Sequence, residues 1–229
     1  TPAMPERVRT RLAPSHLALN AASEGDGNGG SDGAFGPEQP PLGPSALAGD
    51  LRFVRGGLVH ALLQHLPEVP AAEQERAARS FVAARGVSLP DTLREEIVGE
   101  TLAIVRDATF APLFAPGSLA EVPVVARFGD GEDGFDLEGQ IDRLAILDGD
   151  LLILDYKTNR PPPTTPGEVA QSYINQLAAY RLALGKMFPG KPARVALLWT
   201  DGPRLMEIPS TLLEAAEHDM LSRGPALTR

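Results

Sequence analysis

The chain has 229 residues, 43% of them hydrophobic, with 22 prolines, 23 glycines and a formal charge of −9, enough for one substantial core with or without an extension. It contains no cysteine. That excludes a disulfide framework, a Cys-ligated zinc site and an iron–sulfur cluster, so any metal must be held by histidine, carboxylates, carbonyls or water, and an oxygen-loving cation is the default. No run of 18 apolar residues exists and no basic stretch leads into an apolar one, so neither a membrane span nor a secretory leader is expected and the reading is cytoplasmic.

Residues 20–44 are Gly, Pro, Ala, Ser, Asp and Glu with few large apolar side chains, the composition of a flexible linker. Residues 1–44 are therefore read as a connector and 45–229 as the compact domain. Thr1 is not an initiator residue, which suggests a piece of a longer polypeptide. Leu58, Val59, Leu62, Leu63 and Leu66 recur at helical spacing between Gly56–Gly57 and Pro67, predicting a helix over about 57–66 with His60 off its apolar stripe. An alanine-rich helix over 71–85 stops at Gly86. Thr92 and Glu95 form a capping-box pattern, predicting a helix from about 92 to 107 with Leu93, Ile97 and Ile104 inward.

Strand patterns follow. Residues 120–128 are β-rich, with Pro123 marking an edge or a bulge. Two runs, 136–147 and 151–157, flank Asp148–Gly149, a dipeptide that favours a tight hairpin turn. Thr165, Pro166 and Glu168 then read as the start of a long helix reaching about 187. Residues 193–200 and 203–208 read as two strands about a Gly-Pro turn, and a last helix covers about 211–222.

Charge is unevenly spread along this order. Residues 101–150 carry ten acidic side chains against three basic ones, whereas residues 151–200 carry six basic against two acidic. A cation site beside a polyanion site needs such a contrast, though ordinary solvated surface also produces it.

The hairpin concentrates the chemistry. With Asp148 and Gly149 as the two loop residues, Asp142 faces Asp155 and Gln140 faces Lys157. Directly opposed like charges destabilise a sheet, and a divalent cation between the carboxylates would offset the repulsion. Asp155 and Lys157, two apart on one strand, share a face. The preceding Leu151–Leu154 are continuously apolar, implying burial on both faces, and such a strand ending in Asp-Tyr-Lys-Thr is unusual. A structural Asp–Lys pair is the plainer alternative. Two aspartates with a lysine suit metal-assisted phosphodiester hydrolysis, the lysine neutralising charge on the phosphate or positioning water.

Taken together, His60 in RGGLVHALLQHLP, Asp142 in GQIDRL, Asp155 and Lys157 in LDYKT, and Gln176 and Tyr180 in NQLAAYR resemble the RecB-like branch of the PD-(D/E)xK nucleases, in order and spacing. Within that branch the likeness is to nuclease domains of the AddA type, found in bacterial helicase–nucleases, over roughly residues 45–210. The resemblance implies an α/β fold with a restriction-endonuclease-like core, a mixed β-sheet flanked by helices. It implies that His60, Asp142, Asp155 and the main-chain carbonyl of Tyr156 bind Mg²⁺ (or Mn²⁺), with Asp142, Asp155 and Lys157 catalytic. Glu121 would reach the metal through water, and Gln176 and Tyr180 would face the active site and the DNA strand. The implied partners are DNA, mainly single-stranded, a helicase region of the same polypeptide preceding the linker, and an AddB-like subunit. There is no Gly-x-x-x-x-Gly-Lys-Ser/Thr loop, so this fragment would not bind ATP.

Each residue has a plainer role open to it. His60 could be an ordinary helix histidine, Tyr173, Leu177, Tyr180 and Leu184 a core stripe, and Arg160, Arg181 and Lys186 solvated surface rather than phosphate contacts. His16 and His65 have no place in the series. An inactive relic of the fold that binds DNA or a partner without cutting is the competing function, and a free-standing nuclease a third. The net charge predicts weak intrinsic affinity for DNA.

Overall fold

The computed structural model describes residues 11–12, 44–129, 134–147 and 149–223. Most of the expected linker, together with His16 and Asp148, lies outside them.

Three helices come first: α1 (Pro44–His65), α2 (Gln74–Arg85) and α3 (Asp91–Arg106). α1 starts well before the expected 57, carrying Gly56 and Gly57 in its interior. A Cβ on Gly56 would stand 3.5 Å from Thr158 Oγ1, so this glycine lies where the helix runs close to the end of a central strand. α2 stops at Gly86, where a Cβ would stand only 2.8 Å from the Val82 carbonyl oxygen. The capping box expected at Thr92 does not form: α3 begins at Asp91, behind Pro90, with no side-chain cap.

The sheet is mixed. β2 (Leu119–Phe128), β3 (Phe135–Leu147) and β4 (Asp150–Lys157) are antiparallel in sequence, β5 (Ala193–Trp199) lies parallel to β4, and β6 (Arg204–Glu207) closes that edge. The two-residue β1 (Arg11–Leu12) pairs parallel with β3 at Asp136 and Leu137. β4 is buried on both faces, as its apolar run requires. Leu151 and Ile153 enter one core with α4 (Gln171–Met187) and α5 (Ser210–Arg223), and Leu152, Leu154 and Tyr156 enter the other with α1–α3. The result is a three-layer α/β/α arrangement.

α4 begins at Gln171, later than expected. The Glu168 carboxylate does accept the Thr164 and Thr165 N–H groups, at 2.7 and 3.1 Å, but it closes only a short 3₁₀ turn over Pro166–Glu168. Val169 and Ala170 are extended, and Val169 plugs the core before the helix starts.

Two features of the sheet position the site. The hairpin register is the expected one, with Leu147 opposite Asp150 and Arg143 opposite Leu154. The β3–β4 ladder ends there. Beyond it β3 stays with β2 while β4 stays with β5 as far as Lys157 opposite Trp199, so the expected Asp142–Asp155 and Gln140–Lys157 pairs do not form, and Gln140 is paired with Pro123 instead. The strands fork at Asp142 and Asp155. The second feature is a kink. Glu121 has a left-handed backbone, φ 52°, and the β2–β3 pairing skips the Glu121–Asp142 step between Ala120–Arg143 and Val122–Ile141. Ile141 and Leu144, of opposite parity, both enter the same core, so the pleat of β3 breaks between them. β2 is the edge strand that Pro123 predicts.

Candidate active site

The fork opens the plane of the sheet, and groups from both helical layers reach into it. Asp142 occupies the gap. Its Oδ2 accepts the Tyr156 N–H at 2.7 Å, taking the donor that a further ladder bond would have used. Its Oδ1 lies 3.3 Å from His60 Nδ1 on α1, and the His60 ring meets the Tyr156 ring edge-on at 5.5 Å.

Asp155 and Lys157 line the α4 side. Lys157 Nζ stands 2.7 Å from Asp155 Oδ2, at an angle that leaves that buried oxygen without a well-formed hydrogen bond. Lys157 also donates to Gln176 Oε1 at 3.0 Å and lies 4.1 Å from the centroid of the Tyr173 ring. Gln176 in turn donates to the Tyr180 hydroxyl at 3.1 Å. Gln176 and Tyr180 share a face of α4, one turn apart, and fix the lysine from below.

A family model described as the PD-(D/E)XK nuclease superfamily matches residues 39–221. The chain belongs to this superfamily. Its members are nucleases that typically use divalent metal ions, and the mixed sheet with flanking helices is the fold of the family. No curated protein matches. A solved structure described as "Crystal structure of SSO0001" is similar to 75% of this chain and 85% of its own, at 16% identity and a TM-score of 0.34.

Burial and charge set the electrostatics of this candidate site. The side chains of Asp155, Lys157 and Asp142 are 5%, 10% and 14% exposed, that of His60 32%. Burial pushes the Asp155 carboxyl up, against the pull of Lys157, and repulsion from Asp142 adds to the rise. Burial works against the His60 imidazolium, yet the Asp142 carboxylate outweighs it and the pKa is raised. Glu121, opposite Asp142 across the kink, is raised by burial and then by Asp142. Burial likewise raises the Tyr156 and Tyr180 phenols.

These residues suit a divalent cation: two mutually repelling carboxylates, an imidazole, and a buried carboxylate oxygen that Lys157 approaches without a well-formed hydrogen bond. The donors are engaged with one another, however. Among the described residues no group of three His, Asp or Glu side chains forms a ready-made cage.

Of the residues with two open roles, Leu177 and Leu184 are core, while Tyr180 is both core and part of the lysine's support. Tyr173 covers Lys157. Arg160 is held by Glu96, Glu100 and Asp201, Arg181 by Glu217, and Lys186 by the Arg127 carbonyl. His65 is exposed.

Arg143 is the residue that sequence reasoning missed. It is 4% exposed and donates to the Tyr156 hydroxyl at 2.7 Å, Ser118 Oγ at 2.9 Å and the Leu63 carbonyl at 3.0 Å, with its guanidinium over the Phe114 ring. It ties α1, β3 and β4 together beside the fork. Its place next to Asp142 was the available signal. A second such tie is Arg55, which donates to the Thr158 carbonyl at 2.9 Å and to Glu100 at 2.5 Å.

Proposed function

We propose that this domain is a Mg²⁺-dependent deoxyribonuclease, Mn²⁺ being an alternative ion, that hydrolyses phosphodiester bonds of single-stranded DNA. The observation that supports it is the meeting of Asp142, Asp155 and Lys157 with His60 at one fork of the sheet. The carboxylates of Asp142 and Asp155, the His60 imidazole and the main-chain carbonyl of Tyr156 are the groups that would hold the cation. When bound, a divalent ion polarises a phosphoryl oxygen and lowers the pKa of coordinated water. Lys157, aimed by Gln176 and Tyr180, offers its ammonium to the charge that develops on the phosphate. Glu121 borders the same space and holds or orients water there.

The AddA-type resemblance supports a place in double-strand-break repair and recombination. In this reading residues 45–229 are the nuclease, 1–44 lead from a helicase region of the same polypeptide, and an AddB-like subunit is the partner. Delivery by a motor fits the net charge of −9, which leaves the domain weak intrinsic affinity for DNA. Nanomolar, salt-insensitive binding to random DNA contradicts that account.

The test is degradation of labelled single-stranded DNA with Mg²⁺, Mn²⁺ or EDTA, comparing the natural sequence with Asp155→Ala and Lys157→Ala. Metal-dependent cutting that both substitutions reduce at least a hundredfold is expected, the scale of losing an electrostatic contact made in the transition state. Cutting that survives EDTA, or that either variant retains, overturns the assignment.

A further inference from the structure

Beside the fork, on the α4 side, an open groove runs between the proline run Pro161–Pro163 and the side chains of Asn159, Tyr173 and Trp199. Its walls are pyrrolidine rings, two aromatic rings, Tyr173 and Trp199 standing 6.5 Å apart and tilted by 57°, and Glu168, whose carboxylate is engaged by the Thr164 and Thr165 N–H groups. The run is pinned by Arg204, which donates to the Pro163 carbonyl. Asn159 accepts the Tyr173 hydroxyl at 3.0 Å, which fixes the tyrosine ring between two spaces. On one side lies Lys157, its Nζ 4.1 Å from the ring centroid, and Tyr173 also lines the groove. Trp199 is 1% exposed, and its indole N–H has no acceptor among the described residues. That N–H is itself buried, so Trp199 closes the floor of the groove, and Tyr173, half-buried, is the ring a ligand can reach.

We propose that the groove takes one unpaired nucleobase, that of the nucleotide whose phosphate lies against Lys157. The inference rests on the nuclease reading above. A nucleobase has the required chemistry: a flat face that stacks on an aromatic ring whatever its sequence. It is joined to a phosphate, and the groove is separated from the phosphate-binding lysine by a single side chain. A base still stacked and paired in a duplex does not enter, so the groove selects unpaired strands at the point of cutting.

The experiment scans a single abasic residue through a short oligonucleotide and measures kcat/KM for each bond, with the natural protein and with Ala170→Phe. Ala170 is exposed and lines the groove, so phenylalanine fills the space without removing a contact to Lys157. An abasic residue next to the scissile phosphate is expected to slow the natural protein at least about fivefold, the lower end of one base–aromatic stack. Ala170→Phe is expected to cut abasic and intact substrates at one reduced rate. Cutting that depends on Asp155 and Lys157 but ignores the abasic residue everywhere overturns the subsite and leaves the nuclease reading standing. Binding is read separately with 2-aminopurine in single-stranded DNA, whose fluorescence stacking quenches. Quenching that Ala170→Phe abolishes supports the subsite even where no cutting occurs, and quenching that Ala170→Phe leaves unchanged, or that is absent at saturating single-stranded DNA, overturns the subsite alone.

Discussion

Arg143 holds three acceptors from three segments, with almost no exposure of its own. Replacing it by leucine strands the Tyr156 hydroxyl and the Leu63 carbonyl, whereas the half-buried Ser118 hydroxyl keeps its bond to the Leu113 carbonyl. The expected loss of stability for Arg143→Leu is about 3 kcal/mol, measurable as a lower urea midpoint; a change under about 0.5 kcal/mol contradicts the role given to it. Glu121 offers the opposite trade. A side chain in the left-handed region costs roughly 1–2 kcal/mol, and glycine relieves this at some entropic expense in the unfolded chain. Glu121→Gly is therefore expected to stabilise the fold by about 0.5–1 kcal/mol while lowering nuclease activity, because the carboxyl facing Asp142 is lost. A variant that loses stability instead shows that φ 52° is not a strained position.

Elements were legible to different degrees, for physical reasons. The hairpin register followed from Asp148–Gly149 because a two-residue loop fixes strand pairing. The two-sided burial of β4 followed from four consecutive apolar residues. The beginning of α1 was not legible, because Gly56 reads as a helix breaker unless the close approach to Thr158 is known. The beginning of α4 was misread because Thr165–Glu168 carries a genuine capping pattern, spent on a 3₁₀ turn. That turn has a pH signature. The Glu168 pKa is lowered first by the Thr164 hydroxyl and then by the N–H groups of Thr164 and Thr165. A lowered folded-state pKa gives stability that is complete above the unfolded value, roughly 4.3, and that disappears as pH falls through the folded one. The melting-temperature gap between the natural protein and Glu168→Gln should thus be constant above about pH 5 and close below about pH 4. A gap that persists unchanged into acid shows that the carboxylate's charge contributes nothing.

At the scale of the whole molecule, the six motif residues come from four segments: His60 on α1, Asp142 on β3, Asp155 and Lys157 on β4, and Gln176 and Tyr180 on α4. The series was readable because each segment keeps its residue types in order. The kink at Glu121 and the anchoring by Arg143 were not, since both depend on how β3 bends between two layers. The fork itself has a consequence for how such a domain loses its activity. Asp142 holds the Tyr156 N–H only because β3 and β4 part company there. Sheet growth and chemistry compete for that same edge. Under the proposed mechanism, two more rungs between these strands would silence the site with every acidic residue, the histidine and the lysine still in place, so a dead descendant of this domain can be spelled with an intact motif and betrayed only by the length of its ladder.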